Sequence, residues 1–468
     1  MDMLMFQLDK AIHTPLYEQL YAAIKSSIIE RKIQTNDKLP SKRKLADFLN
    51  ISQTTVELAY GQLLAEGYVL SKPRVGYFVE DIDTLAYVDM EEPSQNISPE
   101  AVQIAIDFNP GQIDTQSFPF TTWRKYMKDS IDEEKAELLL VGNAQGEYEL
   151  RQEIANYLYQ SRGVQCSPEQ IVIGSGTEQL LPMIVQLLEN EHTYAIENPG
   201  YATTHYIFKQ QHQSTVSISV DDDGMDIKEL NQSNATIAYV TPSHQFPTGA
   251  ILSASRRVQL LNWASKNSHH YIIEDDYDSE FRYTGKPIAA LQGMDQEGKV
   301  IYMSTFSKSL MPSLRIAYFV LPPKLLEIYN EMYNYYTCTV PRIDQHTLAR
   351  FMQDGHFSKH LNRMRKIYRR KLEKIVTQFK LYGDKIIISG EQAGMHLMIK
   401  ANHPLNALEL SQLALTNSIR IAPIDNYLVT NHSDYNQHLL LGFGGIPESK
   451  ISSSIDALMH AFGFKKEY

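Results

Sequence analysis

The spacing of the apolar residues changes once along the chain, near residue 80, and this change constrains the fold most strongly. From Thr14 to Val79 the apolar residues recur at helical spacing in three segments and then alternate as in a hairpin. From about residue 107 to the end, buried-strand patterns alternate with helical patterns. Such alternation is typical of an α/β domain with a mostly parallel sheet. We therefore predict a small α+β unit followed by a large α/β unit.

The small unit has the pattern of a winged helix-turn-helix. One helical face carries Leu16, Leu20, Ala23, Ile24 and Ile28, and two further helices are predicted after cap candidates Ser41 and Ser52. The hairpin pattern turns about Lys-Pro-Arg at residues 72–74. Two helices joined by a short turn and followed by a basic hairpin form the arrangement that places a helix in the DNA major groove.

The residues that would contact DNA in such a module have suitable chemistry. The first turn of the second helix of the motif faces base edges, and basic residues beside it neutralise phosphates. The short polar side chains at the base-facing position are Ser52, Gln53, Thr54 and Thr55, and the phosphate-side charges are Lys42, Arg43, Lys44, Lys72 and Arg74. Taken alone, the segment could instead be a small helical cap with a solvated basic face.

Net charge and composition describe a globular protein with an uneven charge distribution. The chain has 468 residues, 43% of them hydrophobic, and a formal net charge of −11. Residues 1–80 carry ten Lys/Arg against nine Asp/Glu, so the acidic excess belongs to the remainder. The start shows no secretory signal and no segment has the length of a membrane span, so we expect a cytoplasmic protein. Cys166 and Cys338 lack metal-ligand spacing and are expected to be small buried residues rather than a disulfide.

The first unit resembles the DNA-binding module of the GntR family. The resemblance is carried by KLPSKRKLADFLNISQTTVELAYGQLLAEGYVLSKPRVGYFV, which follows the family pattern LPSxRxLAxxLxxSxxTVxxAYxxLxxEGYxxxxxxxGxFV. It implies DNA contacts by Arg43 and by residues 52–55, and it implies that Gly76 lets the wing approach the DNA backbone. Gln53 stands where many members carry arginine, so the operator sequence is left open.

The segment between the two units has the composition of a linker. Residues 82–106 contain few aromatic residues, several acids and a Pro-Ser-Gln-Asn cluster. An ordered arm is the alternative. We assign residues 1–80 to the DNA-binding unit, 81–106 to the linker and 107–468 to the large unit.

Several segments of the large unit carry polar residues where a buried strand ends. Ser175, Gly176 and Thr177 follow a strand and open a helix, which is where an anion binds. Such turns more often bind nothing. Tyr201 follows a Pro-Gly turn and, taken alone, is more often a packing residue than a platform for a ring.

Two further segments add titratable groups at the same positions. Asp275, Asp276 and Tyr277 end a buried strand, and the carboxyl ends of strands are where α/β sheets bind ligands. Asp275 could equally cap a following helix. The run STFSKSLMPSLR places Thr305, Ser307, Lys308 and Arg315 between two apolar segments that are predicted strands.

Together these residues match the chemistry of pyridoxal 5′-phosphate (PLP). A lysine amine forms a Schiff base with the aldehyde, and an acid beside the pyridine nitrogen keeps that nitrogen protonated. Hydroxyls, an arginine and a helix N-terminus would hold the phosphate, and an aromatic face would stack on the ring. The alternative for Lys308 is a salt-bridged structural lysine.

Residues from about 107 to 465 resemble a fold-type I aminotransferase, and the fusion as a whole resembles the MocR/GabR family of regulators. The motifs are GEYELRQEIANYL, GSGTEQ, ENPGY, TPSHQFPTG, EDDYDSEFRY and STFSKSLMPSLRIAY. By position, Lys308 resembles the internal-aldimine lysine, Asp275 the partner of the pyridine nitrogen and Tyr277 the donor to the ring hydroxyl. Tyr201 resembles the stacking aromatic residue. The resemblance further implies a phosphate cup made by Gly176, Thr177, Thr305, Ser307 and Arg315.

Some positions depart from the catalytic pattern. Phe246 stands where aminotransferases carry an asparagine that bonds the ring hydroxyl, so that bond is missing or is supplied by His244 or Gln245. Leu439 to Leu441 stand where an arginine would bind the substrate carboxylate, and Arg420 is the candidate substitute. Thr203 stands at the spacing where the GABA-responsive regulator has its effector arginine.

The resemblance implies a PLP-binding transcription regulator that binds double-stranded promoter DNA as a head-to-tail homodimer. Its effector would be PLP or an aldimine of PLP with an amino acid. Because the effector-arginine positions are empty, we expect a sensor of PLP that controls vitamin B6 synthesis, as in the PdxR-like branch. The alternatives are a GABA- or amino-acid-responsive regulator, an active aminotransferase with a DNA-binding module, and a scaffold that binds no cofactor. Residual half-transamination is chemically possible in each PLP-binding case.

Overall fold

The computed structural model of the protein describes residues 6, 8–9, 12–81, 103–189, 191–285, 288–430 and 433–467. The chain divides into two compact units, Met1–Ala101 and Val102–Tyr468. Most of the predicted linker, residues 82–102, lies outside the described residues. The second unit begins before the predicted residue 107, because Ile106 pairs with Ile419 in a short parallel strand pair.

The first unit is a winged helix-turn-helix, which confirms the predicted fold. Its elements are α1 (Leu16–Ile29), α2 (Lys42–Leu49), α3 (Gln53–Ala65), β1 (Val69–Lys72) and β2 (Gly76–Val79). The Ser41 and Ser52 side chains cap α2 and α3 by accepting hydrogen bonds from the N–H groups of Lys44 and Thr55, at 3.3 and 3.1 Å. The two strands pair antiparallel, with Val69 opposite Val79.

The core of the first unit is built from the apolar faces that the helical spacing predicts. Leu20 and Ile24 of α1 and Val56, Tyr60 and Leu63 of α3 are each 0–1% exposed. Burying a side chain of this size stabilises the fold by about 1.5–3 kcal/mol. This packing holds the exposed first turns of α2 and α3 in place.

The second unit is an α/β domain built on one large sheet and one smaller sheet. Its elements up to the end of the large sheet are β3 (Ile106–Asp107), α4 (Phe120–Ser130), α5 (Tyr148–Arg162), β4 (Ile171–Gly174), α6 (Thr177–Leu187), β5 (Thr193–Asn198), α7 (Ala202–Gln210), β6 (Ser214–Asp221), β7 (Gly224–Met225), α8 (Ile227–Gln232), β8 (Ile237–Val240), α9 (Ala254–Ser265), β9 (Tyr271–Asp276), β10 (Val300–Thr305), α10 (Phe306–Ser309) and β11 (Ala317–Val320). The remaining elements are α11 (Pro323–Met332), α12 (Arg342–Gln353), α13 (His356–Lys380), β12 (Ile386–Ser389), β13 (His396–Ala401), α14 (Ala407–Thr416), β14 (Ile419–Arg420), β15 (Ala422–Pro423), β16 (His438–Gly442) and α15 (Ile451–Ala461).

The large sheet has the strand order β4-β11-β10-β9-β8-β5-β6-β7 and is mostly parallel, as predicted. Strands β10, β9, β8, β5 and β6 pair parallel in turn, whereas β11 is antiparallel to both β10 and β4. Strands β4, β5, β8, β9 and β10 therefore end at the same edge of the sheet. This edge is where ligands bind in α/β sheets.

The smaller sheet, β12-β13-β16-β15, is antiparallel throughout. It places His396, the first residue of β13, beside the large sheet, where its ring lies 4.8 Å from that of His244. Cys166 and Cys338 are free and half-buried, so neither is as fully buried as predicted. Among the described residues, no helix is both long and apolar enough to cross a membrane.

Candidate functional site

A cavity of about 340 Å³ opens at the carboxyl edge of the large sheet. It is lined by Pro110, Gly111, Gly176, Thr177, Glu178, Tyr201, Thr241, Phe246, Asp275, Tyr277, Thr305, Ser307, Lys308, Pro312, Arg315, His396 and Tyr427. Every residue predicted for a PLP site except Ser175 therefore lies on one cavity wall or another. They come from strand ends far apart in sequence, which meet there because the strands are parallel.

Lys308 lies in the one-turn helix α10, between the antiparallel strands β10 and β11. Its Nζ donates a hydrogen bond to the carbonyl oxygen of Pro110. Burial disfavours the charged ammonium and lowers the pKa of Lys308 to about 8, although the nearby Asp278 carboxylate acts in the opposite direction. Lys308 is thus an amine that is partly uncharged near neutral pH, as a nucleophile requires.

Asp275 lies at the end of β9 and is buried. The hydroxyl of Tyr239 donates a hydrogen bond to its carboxylate. Burial raises the pKa of Asp275 to about 7, and the negative charges of Asp276 and Asp278 add to the effect. A carboxylate that is this poorly solvated would gain a partner in a protonated pyridine nitrogen.

The opposite end of the cavity is suited to an anion. Gly176 precedes α6, whose first turn has no side-chain cap. The Gln179 N–H donates to the Gly176 carbonyl, which leaves the N–H groups of Thr177 and Glu178 to bind a ligand. The hydroxyls of Thr305 and Ser307 lie 2.8 Å apart, and the Arg315 guanidinium closes this end. We call this the anion end: Gly176, Thr177, Thr305, Ser307 and Arg315.

Ser175, the remaining residue predicted to bind the cofactor, makes local hydrogen bonds in this structure. Both its N–H and its hydroxyl donate hydrogen bonds to Gln179 Oε1, at 2.7 and 3.1 Å. Ser175 is not among the residues that line the cavity, so its contact with the cofactor stays a prediction. The Ser175–Gln179 hydrogen bonds stabilise the turn between β4 and α6.

Aromatic rings surround the face of the cavity next to Tyr201. Phe246 is at their centre, with ring centroids 6.1 Å from Tyr201, 5.1 Å from Tyr427 and 5.3 Å from His396. Phe246, which the motif resemblance aligns with the aminotransferase asparagine, gives the cavity a flat apolar wall at this point.

Tyr277, unlike the aromatic rings around Phe246, has its hydroxyl in a buried polar network. Its hydroxyl lies 3.0 Å from Nδ1 of His244, and the same nitrogen lies 3.0 Å from the Asp278 carboxylate. The Gln245 amide is not available to replace the asparagine, because it donates hydrogen bonds to the Pro199 carbonyl and the Glu197 carboxylate. Of the two residues predicted as substitutes for the asparagine, only His244 therefore contacts Tyr277.

Arg420 does not supply a carboxylate-binding group. It is half-exposed and pairs with Asp107 at 3.1 Å, away from the cavity walls. Leu439 to Leu441 are buried in β16, and Thr203 lies in the first turn of α7 without lining the cavity. In the part of the second unit that the structure describes, Arg315 is the one arginine that lines this cavity.

The structure adds cavity residues that the sequence patterns do not reveal. Pro110 and Gly111 come from the segment before α4, Glu178 from the first turn of α6, and His396 and Tyr427 from the region of the smaller sheet. The NPG turn at 109–111 and the acid that follows Thr177 are the available signals, and both are too common to single out. His396 is buried and its Nε2 has no partner among the described residues.

In the first unit, the predicted DNA-contact residues lie on the exposed first turns and on the wing. Gln53 and Thr54 are exposed, whereas the hydroxyls of Ser52 and Thr55 lie 2.8 Å apart within the cap of α3. The predicted phosphate contacts are all at least partly accessible: Lys42, Arg43, Lys44, Lys72 and Arg74.

The wing and α2 hold two of these charges by local contacts. Lys42 pairs with Glu57, and the Lys72 ammonium lies 4.6 Å from the centre of the Phe78 ring. Gly76 has a φ of +133°, which favours glycine, and a Cβ there would lie 3.1 Å from Cε of Lys38.

The fold and site define a class of protein in which a winged helix-turn-helix is fused to an aminotransferase-type domain. Residues 16–79 match the family described as bacterial regulatory proteins, gntR family, and residues 103–434 match aminotransferase class I and II. Aminotransferases of this fold are PLP-dependent. The chain belongs to the MocR-type family of HTH transcriptional regulators, which carry an aminotransferase class I and II domain.

Relatives along the whole chain have the same organisation. The chain is 44% identical to the uncharacterized HTH-type transcriptional regulator YdeL of Bacillus subtilis, covering 97% of this chain and 98% of YdeL. It is 30% identical to the probable rhizopine catabolism regulatory protein MocR of Rhizobium meliloti, covering 98% and 96%. It is 28% identical to the pyridoxine biosynthesis regulator PdxR of Corynebacterium glutamicum, covering 94% of each chain.

Solved aminotransferases have the fold of the second unit. An archaeal alanine:glyoxylate aminotransferase matches 78% of this chain and 91% of its own length, with a TM-score of 0.71 and 24% identity. Kynurenine aminotransferase of Pyrococcus horikoshii matches 78% and 92%, with a TM-score of 0.67 and 23% identity. These similarities confirm the fold class.

Proposed function

We propose that the protein is a transcription regulator that binds promoter DNA through its first unit and senses PLP in the cavity of its second unit. The observation that carries the proposal is the set of groups around one cavity, namely Lys308, Asp275 and the anion end. PLP supplies an aldehyde that condenses with an amine. Lys308 would receive it, Asp275 would pair with the ring nitrogen, and the anion end would hold the phosphate.

The lining of the cavity favours PLP itself over an amino acid as the signal. Arg315 belongs to the anion end, and the described lining offers no second arginine for a carboxylate. Phe246 and Tyr427 line the adjoining wall, where a carboxylate would be poorly solvated. The relative PdxR is named as a regulator of pyridoxine biosynthesis, and we propose control of vitamin B6 synthesis for this chain as well.

The experiment is a titration of the purified protein against the DNA upstream of its own gene and of neighbouring genes, with and without PLP. A change in DNA affinity with PLP alone supports a PLP sensor. A change that needs one amino acid in addition supports an amino-acid-responsive regulator and names its ligand. Sustained turnover of an amino acid with a keto acid would instead establish an aminotransferase.

The cofactor and DNA assignments are tested separately by substitution. Lys308→Ala is expected to abolish the absorbance band of bound PLP while DNA binding without PLP is retained. Arg43→Ala is expected to weaken DNA binding while PLP uptake is retained, because it removes a predicted phosphate contact. Lys32→Ala, which removes an exposed charge outside the predicted contact set, is the matched control for Arg43.

We propose that the active form is a homodimer. The second unit exposes two apolar segments, one at Leu139, Leu140 and Val141 and the other at Tyr335 and Tyr336, each residue at least 60% exposed. Exposed apolar segments of this kind mark interaction surfaces. Light scattering during gel filtration should give twice the mass of the chain, and a single-chain mass at micromolar concentration would contradict the proposal.

A further inference from the structure

One acidic residue lies inside the anion end. The Glu178 carboxylate pairs with the Arg315 guanidinium, with 2.9 Å between Oε2 and Nη2. Both side chains line the cavity and are about half-exposed, at 54% and 52%. The pair is therefore within reach of a ligand that enters the cavity.

The two charged groups lie directly over the start of α6. A Cβ atom placed on Gly176 would come 2.2 Å from Nη2 of Arg315 and 2.8 Å from Oε2 of Glu178. Gly176 is the residue before the first turn of α6, where the helix dipole and free N–H groups attract negative charge. The Glu178 carboxylate thus occupies the kind of position that a phosphate oxygen would take.

The positive charge of the anion end is too small to neutralise both the phosphate of a ligand and the Glu178 carboxylate. The described side chains of this end offer one cation, Arg315, and a helix N-terminus adds about half a positive charge. A phosphate group brings close to two negative charges, and Glu178 adds another. Two like-charged groups within a few ångströms repel each other even where water is present.

We propose that Glu178 is an internal competitor for the phosphate of the ligand, so that ligand binding requires the Glu178–Arg315 ion pair to open. This inference rests on the proposed function and concerns how tightly the same cavity holds its ligand. Competition weakens binding, and a weaker affinity keeps the occupied fraction responsive to the free concentration of ligand. A sensor needs that property, whereas an enzyme that retains its cofactor does not.

The test is Glu178→Gln, which preserves size and removes the charge. The dissociation constant for PLP, measured by absorbance and by equilibrium dialysis, is expected to fall on the order of tenfold. The difference should shrink at high salt, because the pair is accessible to solvent. Glu331→Gln, an exposed residue of α11 that does not line the cavity, should bind PLP as the unsubstituted chain does.

Pyridoxal, which lacks the phosphate, is the second probe. Its affinity should be the same in the Glu178→Gln variant and in the unsubstituted chain. Tighter binding of pyridoxal as well as PLP would overturn the inference, because the gain would not come from the phosphate. Weaker binding of PLP by Glu178→Gln would also overturn it, since Glu178 would then hold Arg315 in place for the ligand.

Inorganic phosphate separates this inference from the proposed function. Calorimetric titration with phosphate should show tighter binding to Glu178→Gln even if the unsubstituted chain forms no absorbance band with PLP. If no absorbance band of bound PLP forms but Glu178→Gln still binds phosphate more tightly, the proposal of a PLP sensor is refuted and the competition by Glu178 is retained. Equal phosphate affinity in a folded variant would refute the competitor, and circular dichroism establishes the folded state.

Discussion

At the scale of single residues, the reactivity of the cavity depends on the protonation of Lys308. An amine attacks an aldehyde only in its neutral form. With a pKa of about 8, roughly a tenth of the Lys308 amines are neutral at pH 7, against less than about one in a thousand for a solvent-exposed lysine. The enclosure of Lys308 therefore has a kinetic consequence.

We predict that the rate of PLP capture rises about fivefold between pH 7 and pH 8 and levels off above about pH 9. The sign follows from the lowered pKa, because the neutral fraction of Lys308 is about half at pH 8 and nearly complete by about pH 9. Stopped-flow absorbance between pH 7 and pH 10 measures this profile. A rate that continues to rise to pH 10 would contradict the lowered pKa.

Asp278 is predicted to shift this profile. Its carboxylate raises the pKa of Lys308 against the larger effect of burial, so Asp278→Asn should lower the pKa of Lys308 further. The midpoint of the capture profile should move to lower pH by up to about one unit. The amide of asparagine can still accept a hydrogen bond from His244. Asp295→Asn, which lies outside the cavity, is the control and should leave the midpoint unchanged.

At the scale of elements, an ion pair attaches the first cavity-lining segment of the second unit to α13. Lys371 of α13 is 0% exposed, and its Nζ lies 2.8 Å from the Asp114 carboxylate and 2.8 Å from the Gly444 carbonyl. Burial would raise the pKa of Asp114, but the hydrogen bond and charge of Lys371, together with hydrogen bonds from Ser117, outweigh it and hold that pKa below its usual value. This ion pair holds residues 110–114 in place, and the segment includes Pro110, whose carbonyl accepts the hydrogen bond from Lys308.

We predict that Asp114→Asn destabilises the second unit by about 3 kcal/mol, because it leaves the buried Lys371 without its ion partner. The amide oxygen can still accept the hydrogen bond from the Ser117 N–H group. The double variant Asp114→Asn/Lys371→Met should regain most of the lost free energy of unfolding, since methionine removes the unpaired ammonium and has a side chain of similar volume. Urea unfolding of the full chain measures both, and an equally unstable double variant would show that the charge is not the cause.

Predictability from the sequence also differs between elements. The turn between β4 and α6 and the run around Lys308 follow from local patterns, because strand, turn and helix signals are adjacent there. Ser175 shows the limit of that reasoning, since the sequence does not reveal that Gln179, one helical turn on, takes both of its donors. His396 and Tyr427 reach the cavity only through the packing of the smaller sheet against the large one, for which no local pattern exists.

At the scale of the whole molecule, regulation requires a coupling free energy between PLP binding and DNA binding. The structure describes two units with separate cores, one carrying the predicted DNA contacts and the other the cavity. Their charges also differ, because the acidic excess of the chain lies after residue 80. PLP therefore affects DNA binding only to the extent that the states that bind and release DNA differ in their affinity for PLP.

This requirement gives a quantitative prediction. For each cavity, the factor by which bound PLP changes the affinity for operator DNA must equal the factor by which operator DNA changes that cavity's affinity for PLP. In a homodimer with two cavities, saturating PLP therefore changes the DNA affinity by the product of the two factors. Fluorescence anisotropy of labelled DNA with and without saturating PLP gives this DNA factor, and absorbance titration of PLP with and without DNA gives the factors of the cavities. Both titrations use one protein concentration, so that any dimerisation contributes equally. Lys308→Ala should bind DNA with an affinity that PLP no longer changes. A DNA factor in the unsubstituted chain that differs from the product over the cavities would show that PLP acts on DNA binding through a site other than this cavity, because linkage at equilibrium allows only one coupling free energy for each pair of sites.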